Sequence, residues 1–395
     1  MGGENNILTA QNDGLYFFTM KILYSGSLAA STGGPAMSTY LSLLGLKKLG
    51  ADVSIIQYPL SEGDVLRGNE IEVHYASKPW EHRMLFSPKL KKEIRNLGAY
   101  DIYHAQGVWQ WPTYALASVA KEKNKPYLIT PRGMLYPQDI AKNSTKLKKL
   151  SLKLRLLDDL NNAACVHVTC MEEMNHCRDL GVISPIAVIP NPVEINDYPF
   201  SKTNSVRRIG YLGRLSPRKN VESLIYAFHS LGNAAKNAEL LIIGGGDAAY
   251  ETFLRSEVER LGLQNVRFTG FLNGEEKDKV LASCSVIAMP SEFENFGNVV
   301  VEGLVRHIPC IATTGSPWEE LNSHHCGWWV PYSQDSITEA VDSALKTTDK
   351  DLFEMGNNGR KLVEERYSVD AVGGQMFRLY QWVLGNAAKP EFVYN

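Results

Sequence analysis

Residues 286–302 read VIAMPSEFENFGNVVVE, and the pattern of this stretch decides the fold class. Its first four residues form a short apolar run typical of a buried strand, and a polar loop that carries Glu294 follows. A helical pattern then begins near Gly297 and includes Glu302. A buried strand that passes through a short loop into a helix is the repeating unit of a parallel α/β sheet.

The loop within this stretch has the chemistry of a nucleotide site. The backbone amides of Phe296 and Gly297 would lie at a helix N-terminus, which favours a phosphate. Glu302 follows five residues later, about 7.5 Å along a helix axis, which is about the separation of a phosphate and a ribose in one nucleotide. Glu302 could thus accept from a ribose diol and Glu294 from sugar hydroxyls. The alternative is that both are surface or capping residues, although Glu302 lies between apolar positions, where a free carboxylate is costly.

Strand-like and helical segments alternate on both sides of this stretch and form two series. The strand-like runs are 20–25, 52–58, 126–130 and 164–169, then 207–212, 239–243, 265–270, 285–289 and 308–312. Helical patterns lie between them, at about 35–49, 112–122 and 146–160 in the first series. This alternation predicts an α/β protein with two Rossmann-like βαβ domains in tandem.

Chain length also favours two domains, because 395 residues exceed the roughly 250–300 at which a single core stops growing. The proline-rich segment that begins at Pro190-Asn191-Pro192 predicts a linker, so we place the N-terminal domain at 20–195 and the C-terminal domain at 200–368. Residues 1–19 show no clear period and predict a leader outside the fold. A helical pattern at about 370–390 predicts a helix that packs back on the first domain.

Composition excludes several classes of protein. The 41 basic and 43 acidic residues give a net charge of −2, so no nucleic-acid partner is expected. The six cysteines include no Cys-x-x-Cys pair, which fits reduced thiols in the cytoplasm. No apolar run approaches the roughly 18 residues that a membrane span needs. The sequence therefore predicts a cytoplasmic protein, with a position at the inner face of the membrane as a further option.

Two glycine-rich turns are candidate ligand loops. Gly33 and Gly34 lie between the first strand and the first helix, where a tight turn and a ligand loop are equally good interpretations. Gly244-Gly245-Gly246 follows a strand and matches the spacing of a dinucleotide fingerprint, so a dehydrogenase is an alternative interpretation. That fingerprint needs an acidic residue about 20 positions later, at the end of the next strand. The next strand ends at Gly270 without an acid, which weakens the dehydrogenase interpretation.

A cluster of cations follows the strand that ends near Leu212. Arg214, Arg218 and Lys219 surround a proline turn. Strand ends in open α/β sheets face the ligand crevice, where Arg214 and Lys219 could hold a diphosphate through charge-assisted hydrogen bonds. A solvated basic turn is an equally good interpretation of this run taken alone.

These motifs together resemble a family. Glu294 and Glu302, with seven residues between them and Phe296-Gly297 inside the interval, resemble the signature of the family 4 retaining glycosyltransferases of GT-B fold, also called glycosyl transferases group 1. The cations, the glycines and the 33–34 loop occur in that family's order. The resemblance implies two Rossmann-like domains that face a central cleft. It implies an enzyme of polysaccharide, lipopolysaccharide or glycolipid biosynthesis that moves a sugar from a nucleotide-sugar donor to a glycan or lipid-linked acceptor, with retention of anomeric configuration.

The resemblance also implies roles for individual residues. Arg214 and Lys219 would bind the diphosphate, Glu302 the ribose and Glu294 the transferred sugar, while the N-terminal domain binds the acceptor. Further donor contacts are expected from Gly33, Gly34, Gly246, Phe271, Leu272, Asn295, Phe296, Gly297, Asn298 and Val299. Retention implies that the leaving diphosphate itself draws the acceptor proton, so the protein contributes position and positive charge. No cofactor and no divalent metal are expected.

The sequence departs from the family pattern at several positions. Asn295 stands where glycine is usual, and we explain this by the tolerance of asparagine for left-handed backbone. Many relatives have a histidine after the fifth strand of the first domain, where this chain has Arg132. His104 matches a histidine near an earlier strand end. The sequence leaves open whether Arg132 or His104 meets the reacting centre.

Two further patterns admit a structural and a functional interpretation. Asp349-Lys350-Asp351 has the letters of a metal-binding Asp-x-Asp but occupies a position typical of a helix cap. Six cations and no acid occur between Lys142 and Arg155, and leucines at 147, 150, 154 and 157 share one helical face. We expect these leucines to pack on the core and the lysines to be solvated. The alternative is that 142–157 contacts an anionic membrane that holds a lipid-linked acceptor.

Three functions are compatible with these observations. The glycosyltransferase interpretation explains most of the motifs. A nucleotide-dependent oxidoreductase and a non-catalytic nucleotide-sugar-binding protein are the alternatives, and the base and the sugar of the donor are not specified by any of the residues.

Overall fold

The computed structural model describes residues 19–64, 66, 70–80, 84–142, 144–199 and 206–395. Residues 1–18 of the predicted leader lie outside this range. The chain divides into two compact units, each built on its own sheet. The first contains residues up to His167, Arg178–Ala187 and Gly373–Asn395; the second contains Val168–Cys177 and Val188–Val372.

The first unit has an eight-stranded sheet in the order β14-β7-β6-β5-β4-β1-β2-β3. Its first seven strands are β1 (Lys21–Ser25), β2 (Asp52–Gln57), β3 (Glu72–Tyr75), β4 (Ile102–Gln106), β5 (Tyr127–Thr130), β6 (Cys165–Val168) and β7 (Ile186–Val188). Its helices are α1 (Gly34–Lys48), α2 (Leu90–Asn96), α3 (Trp111–Glu122), α4 (Pro137–Ala141), α5 (Thr145–Ser151), α6 (Leu157–Asn161) and α7 (Met171–Asp179), whose first seven residues belong to the second unit. Central strands β1, β4, β5 and β6 are almost entirely buried, as expected for a parallel sheet covered on both faces.

The second unit has a six-stranded sheet in the order β10-β9-β8-β11-β12-β13, and all its neighbouring strands are parallel. The strands are β8 (Arg207–Leu212), β9 (Ala238–Ile243), β10 (Val266–Gly270), β11 (Val286–Met289), β12 (Cys310–Thr313) and β13 (Gly327–Val330). The helices are α8 (Glu222–Leu231), α9 (Ala248–Arg260), α10 (Gly274–Ala282), α11 (Asn298–Leu304), α12 (Glu320–Ser323), α13 (Gln334–Lys346) and α14 (Asp349–Arg366). One apolar cluster lies on each face of this sheet.

The C-terminal segment consists of α15 (Val369–Val383) and β14 (Val393–Tyr394). From Gly373 onwards it belongs to the first unit, where Gly373 packs against Gly45 of α1. Strand β14 pairs with β7 in antiparallel orientation, so the first sheet is not purely parallel. The sequence pattern gave no sign of β14, because two residues carry no period.

The basic segment after Lys142 is helical as expected, but the burial of its leucines differs from the expectation. It forms α5, then a π-helical turn over Leu152–Leu156, then α6. The prediction that its leucines pack on the core is wrong for Leu147, Leu150 and Leu154, which are 64%, 54% and 72% exposed. Over the residues that the structure describes, no helix is both long and apolar enough to span a membrane.

Candidate active site

Three loops meet at the carboxyl edge of the second sheet. Strands β9, β8 and β11 are neighbours, and all three are parallel, so their carboxyl ends lie side by side. The loop after β8 carries Arg214 and Lys219, the loop after β9 carries Gly246, and the loop after β11 carries Glu294. This edge is where open α/β sheets bind ligands, and the structure brings these predicted residues together there.

The glycine-rich loop after β9 supports the loop that carries Arg214. A β-carbon on Gly244 would lie 1.9 Å from the carbonyl oxygen of Gly213, and one on Gly246 would lie 2.3 Å from that of Leu215. The Leu215 amide donates to the Gly245 carbonyl at 3.0 Å. Glycine is thus required for the two loops to approach each other, which explains the spacing without a dinucleotide.

The loop after β8 is fixed from within as well. The Tyr211 hydroxyl donates to the backbone carbonyl of Arg214 at 2.9 Å. Burial, followed by the nearby Glu294 carboxylate, raises the pKa of Tyr211 well above its ordinary value, so the hydroxyl stays a donor. The Arg214 side chain is exposed, and no described residue makes a hydrogen bond or ion pair with its guanidinium. A fixed backbone therefore carries a cation that is available to an anionic ligand.

Lys219 and Glu294 form the central ion pair of the site. Lys219 Nζ donates to Glu294 Oε1, and Ser291 Oγ donates to the same oxygen at 2.8 Å. The two charged side chains are only 18% and 10% exposed. No described residue donates to Glu294 Oε2. One carboxylate oxygen is thus occupied by protein donors, and the other is available for a ligand hydroxyl.

The backbone of the loop after β11 is anchored to its neighbours. The Glu294 amide donates to the Gly315 carbonyl at 2.7 Å, and the Glu292 amide donates to the Arg218 carbonyl at 3.0 Å. A β-carbon on Gly315 would lie 2.0 Å from the Glu292 carbonyl oxygen. Ser291 and Gly315 are therefore supporting residues that were not predicted from the sequence. Ser291 lies three residues before Glu294 in the same loop, whereas Gly315 reaches Glu294 only after strand β12 has returned the chain to this loop.

Helix α11 begins at Asn298, one residue after the position expected from the sequence. Gly297 caps it with φ of 80°, and a β-carbon there would lie 2.8 Å from Met289 Cε. Phe296 is buried, and its carbonyl accepts from Trp318 Nε1. Asn298 Oδ1 accepts from Asn191 at 3.1 Å. The turn before the helix is therefore specified by packing, and Val299 beside it is half-buried.

Asn295 has a different role from the one expected. Its φ is not positive, so tolerance of left-handed backbone does not explain the residue. Its side-chain amide donates to Thr169 Oγ1 at 3.0 Å, and its backbone carbonyl accepts from Cys170 Sγ at 3.3 Å. Thr169 in turn donates to the buried carboxylate of Glu173 at 3.0 Å. Asn295 thus ties the loop to a polar network at the start of α7.

Glu302 lies in α11 and forms an ion pair. Its Oε2 accepts from Lys277 Nζ of α10 at 2.8 Å, and both side chains are about a quarter exposed. The expected cost of a carboxylate between apolar positions is offset by this pair. Lys277 was missed by the sequence analysis, because no local pattern links it to Glu302. Phe271, which follows β10, is 77% exposed, and Leu272 is half-buried.

Arg132 lies in the first unit at the end of β5, with φ of 59°. Its guanidinium donates to Gln106 Oε1 at 2.9 Å, to Ser38 Oγ at 3.0 Å and to Thr39 Oγ1 at 3.0 Å. Ser38 and Thr39 belong to the first turns of α1, which begins at Gly34 after Gly33. A β-carbon on Gly33 would meet nothing within 4 Å, so its φ of 70° alone requires glycine.

His104 is completely buried in the first unit. Its Nδ1 lies 2.6 Å from Tyr380 Oη, and its Nε2 lies 2.7 Å from Thr130 Oγ1. Burial, then His167 and Arg132, lowers the pKa of His104 well below its ordinary value. Both ring nitrogens are engaged by protein side chains, so the structure places His104 in an internal hydrogen-bond network. Arg132 and His104 are both near the carboxyl edge of the first sheet.

The described residues contain no group of three or more His, Cys, Asp and Glu side chains placed to hold a metal ion. Asp349 and Asp351 lie in the first turn of α14, as expected for a capping segment. The cap itself is Thr348, which accepts from the Asp351 amide at 3.1 Å.

Two family models match the chain. The model of the glycosyl transferases group 1 matches residues 197–362, and the model of glycosyltransferase family 4 matches residues 32–197. An uncharacterized glycosyltransferase of Methanocaldococcus jannaschii is 26% identical over 369 residues, which cover 85% of this chain and 91% of that protein. The O-antigen chain mannosyltransferase C of Escherichia coli is 29% identical over 161 residues, which cover 40% of this chain and 43% of that protein.

Solved structures share the fold. Sucrose-phosphate synthase of Thermosynechococcus elongatus superposes with a TM-score of 0.75 at 19% identity, covering 93% of this chain and 100% of that one. HepE of Anabaena, solved in complex with UDP-glucose, gives a TM-score of 0.72 at 18% identity and covers 92% of this chain and 100% of its own. These similarities confirm the predicted fold class.

Proposed function

The chain belongs to the glycosyl transferases group 1, it is a glycosyltransferase of GT-B fold, and we propose that it moves a hexosyl group from a nucleotide sugar to a glycan or lipid-linked acceptor with retention of anomeric configuration. The observation that carries this proposal is the Lys219–Glu294 pair at the edge formed by β8 and β11, beside Arg214, whose guanidinium has no partner among the described residues. It combines fixed positive charge with a carboxylate oxygen open to a sugar.

The proposed chemistry follows from these groups. Negative charge develops on the leaving diphosphate. Arg214 and Lys219 stabilise this charge without reorganising, because both belong to the fixed loop after β8. Glu294 Oε2 accepts from a hydroxyl of the transferred sugar and so fixes the orientation of the anomeric carbon. The diphosphate draws the acceptor proton as the acceptor oxygen attacks on the same face of the sugar. The bond from the anomeric carbon to the phosphate oxygen thus breaks as the bond to the acceptor oxygen forms, and the acceptor proton moves to the diphosphate, so no protein base is needed.

Donor recognition is assigned to the second unit and acceptor recognition to the first. We assign Glu302 to the ribose diol, with Lys277 orienting the carboxylate through their ion pair. Relatives differ in their donors: HepE was solved with UDP-glucose, and a relative in Corynebacterium glutamicum is named as GDP-mannose-dependent. The base of this chain's donor is to be found by experiment.

Incubation with a panel of nucleotide sugars tests the proposal. We expect release of the nucleoside diphosphate, with slow hydrolysis when no acceptor is present. Arg214→Ala should lower turnover by about 10²–10³. The matched control is Arg267→Ala, which removes an exposed arginine on β10 with the same change in net charge.

The outcomes separate the alternatives. Saturable donor binding without turnover would indicate a non-catalytic binding protein, and reduction of a nicotinamide cofactor would indicate an oxidoreductase. Near-wild-type turnover in Arg214→Ala would remove the assigned role of the loop after β8. The anomeric configuration of the product, read by NMR coupling constants, decides between retention and inversion.

A further inference from the structure

The helical segment α5 and the π-helical turn after it present a row of leucines to solvent. Leu147, Leu150 and Leu154 are all more than half exposed. At about 100° per residue these positions fall within roughly 60° of one another around the helix. A row of exposed leucines is costly in water, so this face has a purpose other than folding.

Lysines flank the leucine row. Lys146, Lys149 and Lys153 are exposed and fall on the neighbouring side of the same helical segment. The side opposite the lysines is anchored in the unit, because the Arg155 guanidinium lies 4.5 Å from the Tyr114 ring and Ser151 Oγ lies 2.8 Å from the Tyr114 hydroxyl. The leucines are thus held outwards by a helix that is itself fixed.

A second exposed apolar group lies next to this helix. Trp80, Met84 and Phe86 are 75%, 45% and 36% exposed, and the Trp80 amide donates to the Phe86 carbonyl at 2.8 Å. The Phe86 ring is 4.7 Å from the ring of Trp111, which lies 5.9 Å from the Arg155 guanidinium carbon. Trp111 therefore lies between the aromatic group and the Arg155 side of the leucine helix, so the two exposed apolar groups are neighbours on the first unit.

We propose that this surface, the Leu–Trp surface (Trp80, Met84, Phe86, Leu147, Leu150 and Leu154), binds the interfacial region of an anionic lipid bilayer. Leucines and a tryptophan suit the boundary between headgroups and acyl chains, and the adjacent lysines bind anionic headgroups while their stems lie along the apolar surface. Charge complementarity favours this partner over a second copy of the chain, because a two-fold contact would bring identical lysine rows together. This inference rests on the proposed function in one respect only, namely that the bound bilayer would present a lipid-linked acceptor to the enzyme.

Cosedimentation of the full-length protein with vesicles tests the surface. We expect binding to vesicles of phosphatidylglycerol and phosphatidylcholine at low salt, weaker binding at high salt, and little binding to phosphatidylcholine alone. The variant K146E/K149E/K153E should bind the anionic vesicles at least about 10²-fold more weakly, at roughly fivefold for each lysine lost. The control K279E/K350E/K361E makes the same charge change at exposed lysines of the second unit and should bind like the wild type.

Replacing the leucines distinguishes insertion of the surface into the bilayer from electrostatic adsorption to the headgroups. L147Q/L150Q/L154Q should weaken vesicle binding by about 10²-fold without any change in net charge. If this variant binds as tightly as the wild type, the leucines do not insert and the proposal is wrong. Donor hydrolysis should be normal in every variant of the surface, whereas a failure of the proposed function would abolish hydrolysis in the wild type too.

A fluorophore reports the depth of the contact. All six native cysteines are buried, so a thiol-reactive NBD label should attach selectively to the new thiol of Leu150→Cys. Its emission should rise and shift to the blue when anionic vesicles are added, whereas a label on Lys350→Cys should not respond. Increased emission with protein concentration alone would instead indicate a second copy as the occupant, and no response to either would show that the surface stays in water.

Discussion

Replacement of Lys219 by alanine should lower both turnover and stability, because the residue has a structural partner as well as a proposed catalytic role. The partner, Glu294, is 10% exposed, and when Lys219 is removed the Ser291 hydroxyl is its one remaining side-chain donor within the part of the chain that the structure describes. Leaving one member of a buried pair without its partner costs about 3–5 kcal/mol, which we reduce to about 2–3 kcal/mol because Lys219 is partly exposed. In a unit of this size the Tm should fall by about 5–10 °C.

Paired measurements of melting and turnover separate the two effects. Arg214→Ala should cost about 10²–10³ in turnover with a Tm near that of the wild type, because its side chain is exposed and has no described partner. Lys219→Ala should lose as much turnover and melt earlier, and adding Glu294→Gln should restore the Tm without restoring turnover. Equal melting temperatures for Lys219→Ala and the wild type would refute the view that the pair supports the loop.

Four further outcomes follow from the same structure. Glu302→Ala should raise the Kd for a free nucleoside diphosphate, measured by calorimetry, by about 10-fold. Lys277→Met is the companion variant, because it leaves the carboxylate in place. An unchanged Kd in Glu302→Ala would contradict the ribose assignment. Gly246→Ala should lower turnover and Tm together, because its β-carbon would displace the Leu215 carbonyl. The buried His104 stays neutral in the folded protein, so below about pH 6.5 the unfolded chain binds more protons than the folded one. The free energy of unfolding therefore falls as pH falls, by up to about 1.4 kcal/mol per pH unit. His104→Gln should remove this contribution from the pH dependence of the melting curves. Transfer should persist in EDTA, since Arg214 and Lys219 supply the positive charge, and complete loss restored by Mn²⁺ or Mg²⁺ would overturn this.

The residues proposed for donor binding could be named from the sequence because the pattern that groups them is local. Glu294, Gly297 and Glu302 lie within one strand-loop-helix unit, and their spacing carries information about the distance between phosphate and ribose. The fold class followed from the same alternation of short apolar runs and helical patterns. What the sequence could not give was the partner of each charge. Lys219 and Glu294 are 75 residues apart, so only the neighbouring positions of β8 and β11 bring them together.

The error at Asn295 shows the same limit from the other direction. Tolerance of left-handed backbone is a local property, whereas the Asn295 side chain is held by a hydrogen bond to Thr169, 126 residues away. The leucines of α5 illustrate a different failure. Periodicity identified the face they share, but periodicity alone does not say whether that face meets a core or a partner.

Arg132 shows why the acceptor side resists prediction more strongly than the donor side. Three side-chain acceptors of its guanidinium, Gln106, Ser38 and Thr39, come from β4 and α1 and lie 26, 94 and 93 residues away. All three are neutral hydrogen-bond acceptors that orient the guanidinium. A nucleoside diphosphate presents the same phosphates and ribose whatever sugar it carries, so a short motif can encode its site. An acceptor is defined by its whole shape, and the position of a side chain such as Arg132 depends on an arrangement that only the complete fold of the first unit assembles.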